Sequence, residues 1–150
     1  SLGGAVLLES LKGETRFAGV IAECPFASFR EVAYDRVPYP IGLGPWPGKT
    51  VFWPTVETGI LWAKLYHHVD LDQASPADAV ENTRTPILLI HGASDYQTPT
   101  YNSRLIQQNN PAMIQLWEVP GATHIRALFT QPAEFERRVF DWIDHQSGQS

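Results

Sequence analysis

The chain has 150 residues, 43% of them hydrophobic, enough to bury the core of one domain. A formal charge of -5 and the lack of any Lys/Arg cluster exclude a nucleic-acid-binding face. The single cysteine, Cys24, excludes an internal disulfide and multi-cysteine zinc patterns, and no apolar run reaches the roughly 18 residues of a membrane-spanning helix.

Ser1-Leu2-Gly3-Gly4 runs directly into Ala5-Val6-Leu7-Leu8-Glu9-Ser10-Leu11, whose apolar positions predict a helix buried on more than one side. The chain opens without methionine, and at a helix rather than at the strand that should feed it, so a fragment or processed chain of something larger is expected. After a glycine stop at Gly13, Phe17 to Glu23 reads as a buried strand ending at Cys24-Pro25. Phe26 to Val37 reads as a short helix with Phe29, Val32 and Ala33 on one face.

From Val37 to Trp53 the composition shifts. Pro38, Pro40, Pro45 and Pro47, with Pro54 just beyond, alternate with Gly42, Gly44 and Gly48 and with Tyr39, Trp46, Phe52 and Trp53. Proline at this density stops a helix and an inner strand alike, while the aromatic content is too high for a disordered linker, so an ordered excursion that packs over something is expected. A helix from about Val56 to Val69 follows, with Ile60, Leu61, Trp62, Ala63, Leu65 and Tyr66 forming a broad apolar face. Ser75-Pro76-Ala77-Asp78 has the cap, first-turn proline and third-position acid of another helix start.

Ile87 to Ile90 is too short for a buried helix and too uniformly apolar for a strand with one wet face, so it reads as a central parallel strand ending at His91-Gly92. A short loop then carries Asp95. Thr98-Pro99, read as N-cap and first helical residue, predicts a helix from Pro99 to about Gln108. Met113 to Val119 is a third strand, alternating enough to lie nearer the edge, and Pro120-Gly121-Ala122-Thr123-His124 is the loop at its carboxyl end. Pro132 to about His145 is a helix with Phe135, Val139, Trp142 and Ile143 on one stripe, and 146–150 is a polar tail.

This is α/β grammar, in which ligands bind beyond the carboxyl ends of parallel strands. Three segments offer polar groups there: Ser1 before the first helix, Asp95 after one strand and His124 after the next. Nucleophilic acyl transfer needs a hydroxyl, an imidazole to take its proton, and a buried carboxylate to fix the imidazole tautomer.

On these residues nearly the whole chain resembles the α/β-hydrolase superfamily, and within it the prolyl-oligopeptidase-like and serine-aminopeptidase-like serine hydrolases. Ser1-Leu2-Gly3-Gly4 matches the second half of the Gly-x-Ser-x-Gly nucleophile elbow; the glycine two residues before the serine is missing. His91-Gly92-Ala93-Ser94-Asp95-Tyr96-Gln97-Thr98-Pro99 looks like the acid-bearing loop and Pro120 to His124 like the histidine loop, and the spacing of 29 from Asp95 to His124 leaves room for one helix and one strand. The resemblance implies the C-terminal portion of an α/β-hydrolase fold, with 1–37 and 86–145 as two parts of the core and 38–85 as an inserted, mainly helical cap. It implies Ser1 as nucleophile, His124 as general base and Asp95 as its partner. The backbone N–H of Leu2 would be one oxyanion donor, and a loop upstream of residue 1 the second. The implied reaction is cleavage of a carboxylic ester or peptide bond in a small-molecule or peptide substrate through an acyl-enzyme, with no cofactor and no metal. Tyr39, Trp46, Phe52 and Trp53, aromatics between rigidifying prolines, are candidate walls of the substrate pocket.

Other readings compete. Ser94 also follows a strand and precedes a helix, but Tyr96 is bulky where the elbow needs a small residue, and its acid would be adjacent at Asp95. Ser1 could use its own α-amine as base, but such nucleophiles head a strand, and here a helix follows. A binding or scaffold protein that keeps the fold is the non-enzyme alternative. His91 reads as structural, its ring satisfied at the sheet end. His67 and His68, being adjacent, do not face the same way and offer no metal site. Cys24 reads as a small buried residue.

Overall fold

In the computed structural model, which describes residues 1–43 and 46–148, β1 (Val20–Glu23), β2 (Ile87–Gly92) and β3 (Ile114–Val119) form a parallel sheet in the order β1-β2-β3. Val20 pairs with Ile87 and Ile87 with Ile114, so Glu23, Gly92 and Val119 bring all three carboxyl ends to one rim. The central strand β2 is buried at every residue, as an unbroken apolar run requires when both faces are covered.

Alternation along the strands separates two layers. Ile87 and Leu89 pack with Leu8, Leu11, Val80 and Ile106, on the side of α1 (Leu2–Ser10), α4 (Pro76–Ala79) and α5 (Tyr101–Asn109). Leu88 and Ile90 pack with Trp117, Ala127 and Trp142, on the side of α6 (Ala127–Thr130) and α7 (Pro132–Ser147). Each fully buried large aliphatic side chain contributes about 1.5–3 kcal/mol, so this double-faced strand is the main source of cohesion. The fold is thus α/β, parallel strands with helices on both faces.

Several local expectations change once packing is in view. Strand β1 begins at Val20 rather than Phe17, where the Val20 N–H donates to the Pro86 carbonyl and pairing with β2 starts; just before it, an added Cβ at Gly19 would sit 2.5 Å from the Trp142 indole. Helix α1 buries Ala5 and Leu8 but leaves Leu2 and Val6 exposed, since among the described residues it packs chiefly on β1 and α4. The short helix α6 is not foreseen from sequence, having only four residues between two loops.

The excursion after residue 37 contains two short 3-10 turns, Tyr39–Ile41 and Trp46–Lys49; Gly44 and Pro45 lie outside the described residues. Gly48 runs against α2 (Phe29–Arg36) so closely that a Cβ there would lie 1.7 Å from the Tyr34 carbonyl oxygen. Helix α3 (Trp53–His67) starts earlier than its apolar pattern does, with Pro54 in its first turn. It buries a narrow stripe, Val56 and Ile60, against Tyr34, and the expected broad face of Leu61, Trp62, Leu65 and Tyr66 is exposed. Helix α4, by contrast, packs on α1 and α5.

A buried polar network joins α2 to the start of α5. The Asp35 carboxylate accepts from the Tyr101 hydroxyl (2.8 Å) and Asn102 Nδ2 (3.0 Å), and Asn102 Oδ1 accepts from the Ala27 N–H at 2.9 Å. Burial pushes the Asp35 carboxyl up, and the hydrogen bonds from Tyr101 and Asn102 oppose this. No helix among the described residues is long and apolar enough to cross a membrane.

Candidate active site

Strand β2 hands directly to Asp95. The Asp95 N–H donates back to the Gly92 carbonyl at 3.1 Å, and the Ser94 N–H donates to the Ala122 carbonyl of the histidine loop at 2.9 Å. Gly92 allows this approach: a Cβ there would lie 2.5 Å from the carbonyl oxygens of both Ala122 and Thr123. The two loops after β2 and β3 therefore touch, backbone to backbone, at the rim.

The two oxygens of Asp95 have separate tasks. Oδ1 accepts from the N–H groups of Gln97 (2.9 Å) and Thr98 (3.0 Å), a local Asx turn, while Oδ2 faces His124 Nδ1 at 2.7 Å. Helix α5 begins later than the sequence predicts, and Thr98 does not serve as its cap. Its buried hydroxyl lacks a partner among the described residues, and the N-cap is Thr100, whose hydroxyl donates to the Gly92 carbonyl at 3.2 Å.

Asp95 is 5% exposed. Burial alone would raise its carboxyl, but hydrogen bonds from His124 and the Thr98 N–H, with the His91 ring 3.4 Å from Oδ2, outweigh it and hold the group well below the usual carboxylate range. With Asp95 ionised, Nδ1 of His124 carries the donated proton and Nε2 is left as an acceptor. The His124 side chain is 11% exposed, so the ring is held but reachable.

His91 has the structural place expected of it. Fully buried, its Nε2 lies 2.7 Å from the Thr98 carbonyl and its Nδ1 2.6 Å from Ser103 Oγ. A carbonyl only accepts, so Nε2–H donates to Thr98, and for a neutral ring the Ser103 hydroxyl donates to Nδ1. Ligand atoms of Cys24, His91 and Asp95 lie within 4.8 Å of one another, but with both His91 nitrogens engaged the trio offers a cation no imidazole lone pair. Cys24 is buried, and burial pushes its thiol up to about 11, so it is no thiolate nucleophile near neutral pH.

Ser1 stands at the same rim, beside β1. Its amino group donates to the Glu23 carbonyl at 2.8 Å, and its own carbonyl accepts from the Ala5 N–H at 3.0 Å, opening α1. The Leu2 N–H belongs to the first turn, where amides have no intrahelical acceptor. Of the two glycines, Gly4 is the tight one: a Cβ there would lie 3.2 Å from Ala22 Cβ, whereas Gly3 faces open space. Asp95 and His124 are in contact; among the described residues the Ser1 hydroxyl makes no hydrogen bond with His124.

Of the aromatic wall candidates, Tyr39 lines a hollow of about 480 Å3, together with Pro40, Gly42, Leu43 and Tyr96. Trp46 is 76% exposed, Trp53 is exposed and Phe52 half-buried, and none of these three lines it. The sequence marks Tyr96 only as too bulky for an elbow at Ser94, not as a wall; its adjacency to Asp95 is the signal for that place. A larger hollow, about 640 Å3, is lined by Phe17, Arg84, Thr85 and Pro86, at the amino ends of β1 and β2 and so at the opposite end of the sheet from His124. Its size does not make it the reactive site, because no carboxyl-end residue borders it.

Comparison with known proteins bears on the family and the fold. The model of the prolyl oligopeptidase family matches residues 1–150. No curated protein sequence matches the chain. Among solved structures it is similar to the Pyrococcus furiosus esterase Pf2001, with 18% identity and a TM-score of 0.67 over 97% of this chain and 51% of that one. It is also similar to the Pyrococcus horikoshii acylaminoacyl peptidase (16% identity, TM-score 0.63, 96% of this chain and 22% of that one). A third similar structure is MGS-M2, an α/β hydrolase from a Medee basin deep-sea metagenome (17% identity, TM-score 0.61, 96% and 62%). The chain spans about half the length of the esterase.

Proposed function

Since the chain belongs to the prolyl oligopeptidase family, we propose that it carries the nucleophile, base and acid of a serine hydrolase that cleaves a carboxylic ester or a peptide bond through an acyl-enzyme. Ser1 Oγ attacks the carbonyl carbon while His124 Nε2 takes the hydroxyl proton, and the same imidazolium then delivers that proton to the leaving alcohol or amine. Asp95 Oδ2 holds the Nδ1–H and stabilises the imidazolium. The Leu2 N–H, aided by the dipole of α1, receives the developing oxyanion. Water repeats the cycle on the acyl-enzyme, with His124 as base.

The observation that carries this reading is the 2.7 Å contact between His124 Nδ1 and a buried, ionised Asp95, on the rim where Ser1 opens α1. Treating the protein that carries this sequence with a fluorophosphonate and mapping the adduct by mass spectrometry tests it. The adduct is expected on Ser1; an adduct on Ser94, or none at all, overturns the assignment.

Within the same reading, Tyr39 and Tyr96 wall the acyl or side-chain pocket. Differences of a few methylenes in an apolar pocket are worth about 1–3 kcal/mol, so Tyr39→Ala should change the kcat/KM ratio between long-chain and short-chain p-nitrophenyl esters by about 10-fold or more. An equal change on every chain length would remove Tyr39 from the pocket wall.

A further inference from the structure

Glu23 is a carboxylate at the rim that the triad does not use. Strand β1 alternates Val20 and Ala22 toward the α1 side with Ile21 toward the α6–α7 side, so Glu23 emerges on the same face as Ile21. At the strand end its Oε1 accepts from the Ala127 N–H at 3.1 Å, and its backbone carbonyl accepts from the Ser1 amino group at 2.8 Å. We infer that Glu23 is a positioning residue for the histidine loop, bonding the loop three residues past His124 with its carboxylate while its carbonyl anchors Ser1.

The backbone of that loop explains why an anchor there matters. Ile125, next to His124, has φ 50, and a β-branched residue in the left-handed region is strained. Strain of this kind persists only where the surroundings over-determine it. Before His124 the loop is held from β2, through the Ser94 N–H to the Ala122 carbonyl. After His124 it is held from β1, through the Ile125 N–H to Cys24 Sγ at 3.5 Å and the Ala127 N–H to Glu23 Oε1. The sulfur contact is the weaker of the two, a thiol being a poor acceptor. Without the Glu23 carboxylate, Ile125 relaxes, and the His124 ring loses its alignment against Asp95. Glu23 itself touches neither substrate nor the imidazole. Its part is reach and acceptance, not charge.

This inference rests on the serine-hydrolase reading for its kinetic arm only. Glu23→Gln keeps an acceptor oxygen at the same reach and removes the charge, whereas Glu23→Asp keeps the charge and withdraws the oxygen by one methylene. A misplacement of about 1 Å costs on the order of 10²-fold. Glu23→Asp and Glu23→Ala should therefore lower kcat by about 10- to 10²-fold with KM within about twofold, and Glu23→Gln should stay within about threefold of the parent in kcat. The second arm needs no turnover. The proton that His124 Nδ1 shares with Asp95 gives a low-field NMR resonance, which should shift or broaden in Glu23→Asp and Glu23→Ala and stay in place in Glu23→Gln. Should Glu23→Ala fail to fold, the Gln and Asp variants decide alone. Equal loss in Glu23→Gln and Glu23→Ala would show that the charge acts rather than the anchor, and an unmoved resonance in Glu23→Asp would show that the loop needs no such anchor; either result overturns the inference. If the parent takes no fluorophosphonate at Ser1, the hydrolase reading fails, while the resonance still reports whether Glu23 positions His124.

Discussion

Ser1→Ala and His124→Ala should each lower kcat on a p-nitrophenyl ester by about 10⁶-fold, and the double variant should lose no more than either single one. The non-additivity is the sharper expectation. The hydroxyl is a useful nucleophile only while an imidazole accepts its proton, and the imidazole has nothing to accept once the hydroxyl is gone, so the pair acts as a unit. Neither substitution should disturb the fold, since both residues stand at the rim outside the two apolar layers. Steady-state rates of the three variants, beside their melting temperatures, make the measurement. Losses that multiply in the double variant would mean that Ser1 and His124 serve separate steps.

Asp95→Asn is expected to lower kcat by about 10⁴-fold while leaving the imidazole in place. The reason is the division of labour between the two carboxylate oxygens. One side of the group is committed to the N–H groups of Gln97 and Thr98, so the asparagine oxygen must stay there. The amide NH2 then faces His124 Nδ1 and demands an acceptor, driving the ring proton to Nε2, where it blocks uptake of the Ser1 proton. The same variant carries a stability signature. The native carboxyl of Asp95 is depressed, so the stability it contributes is fully present above its unfolded value of about 3.9 and is lost as pH falls through the native one. The melting-temperature gap between parent and Asp95→Asn should thus narrow as pH falls below about 4. A gap that widens on acidification would mean that the Asp95 carboxyl is not the ionised partner of His124.

Much of the molecule was legible in the sequence because its signals are local. The unbroken run Ile87 to Ile90 marks a strand covered on both faces, whatever covers it. The glycine after His91 and the small residues before His124 mark loops at strand ends, and parallel strands with helical crossovers must bring such ends to one rim. That logic expects Ser1, Asp95 and His124 at one rim, and the structure brings Asp95 and His124 into contact there. It also assigned His91 to structure, as its bonds to Thr98 and Ser103 show.

What the tertiary structure alone decided is which side chain meets which partner. The apolar residues of α3 have helical spacing, yet only Val56 and Ile60 find a neighbour in Tyr34, because periodicity states that a face exists and not how wide the opposing surface is. Thr98 has the composition of a cap, but it sits inside the Asx turn of Asp95, its hydroxyl bonds no amide among the described residues, and the helix starts at Thr100. Glu23 occupies an unremarkable strand position, and its bond to the Ala127 N–H spans 104 residues of chain. Strand alternation says on which face a carboxylate emerges. Only the packing of α6 against that face puts an unpaired amide within its reach.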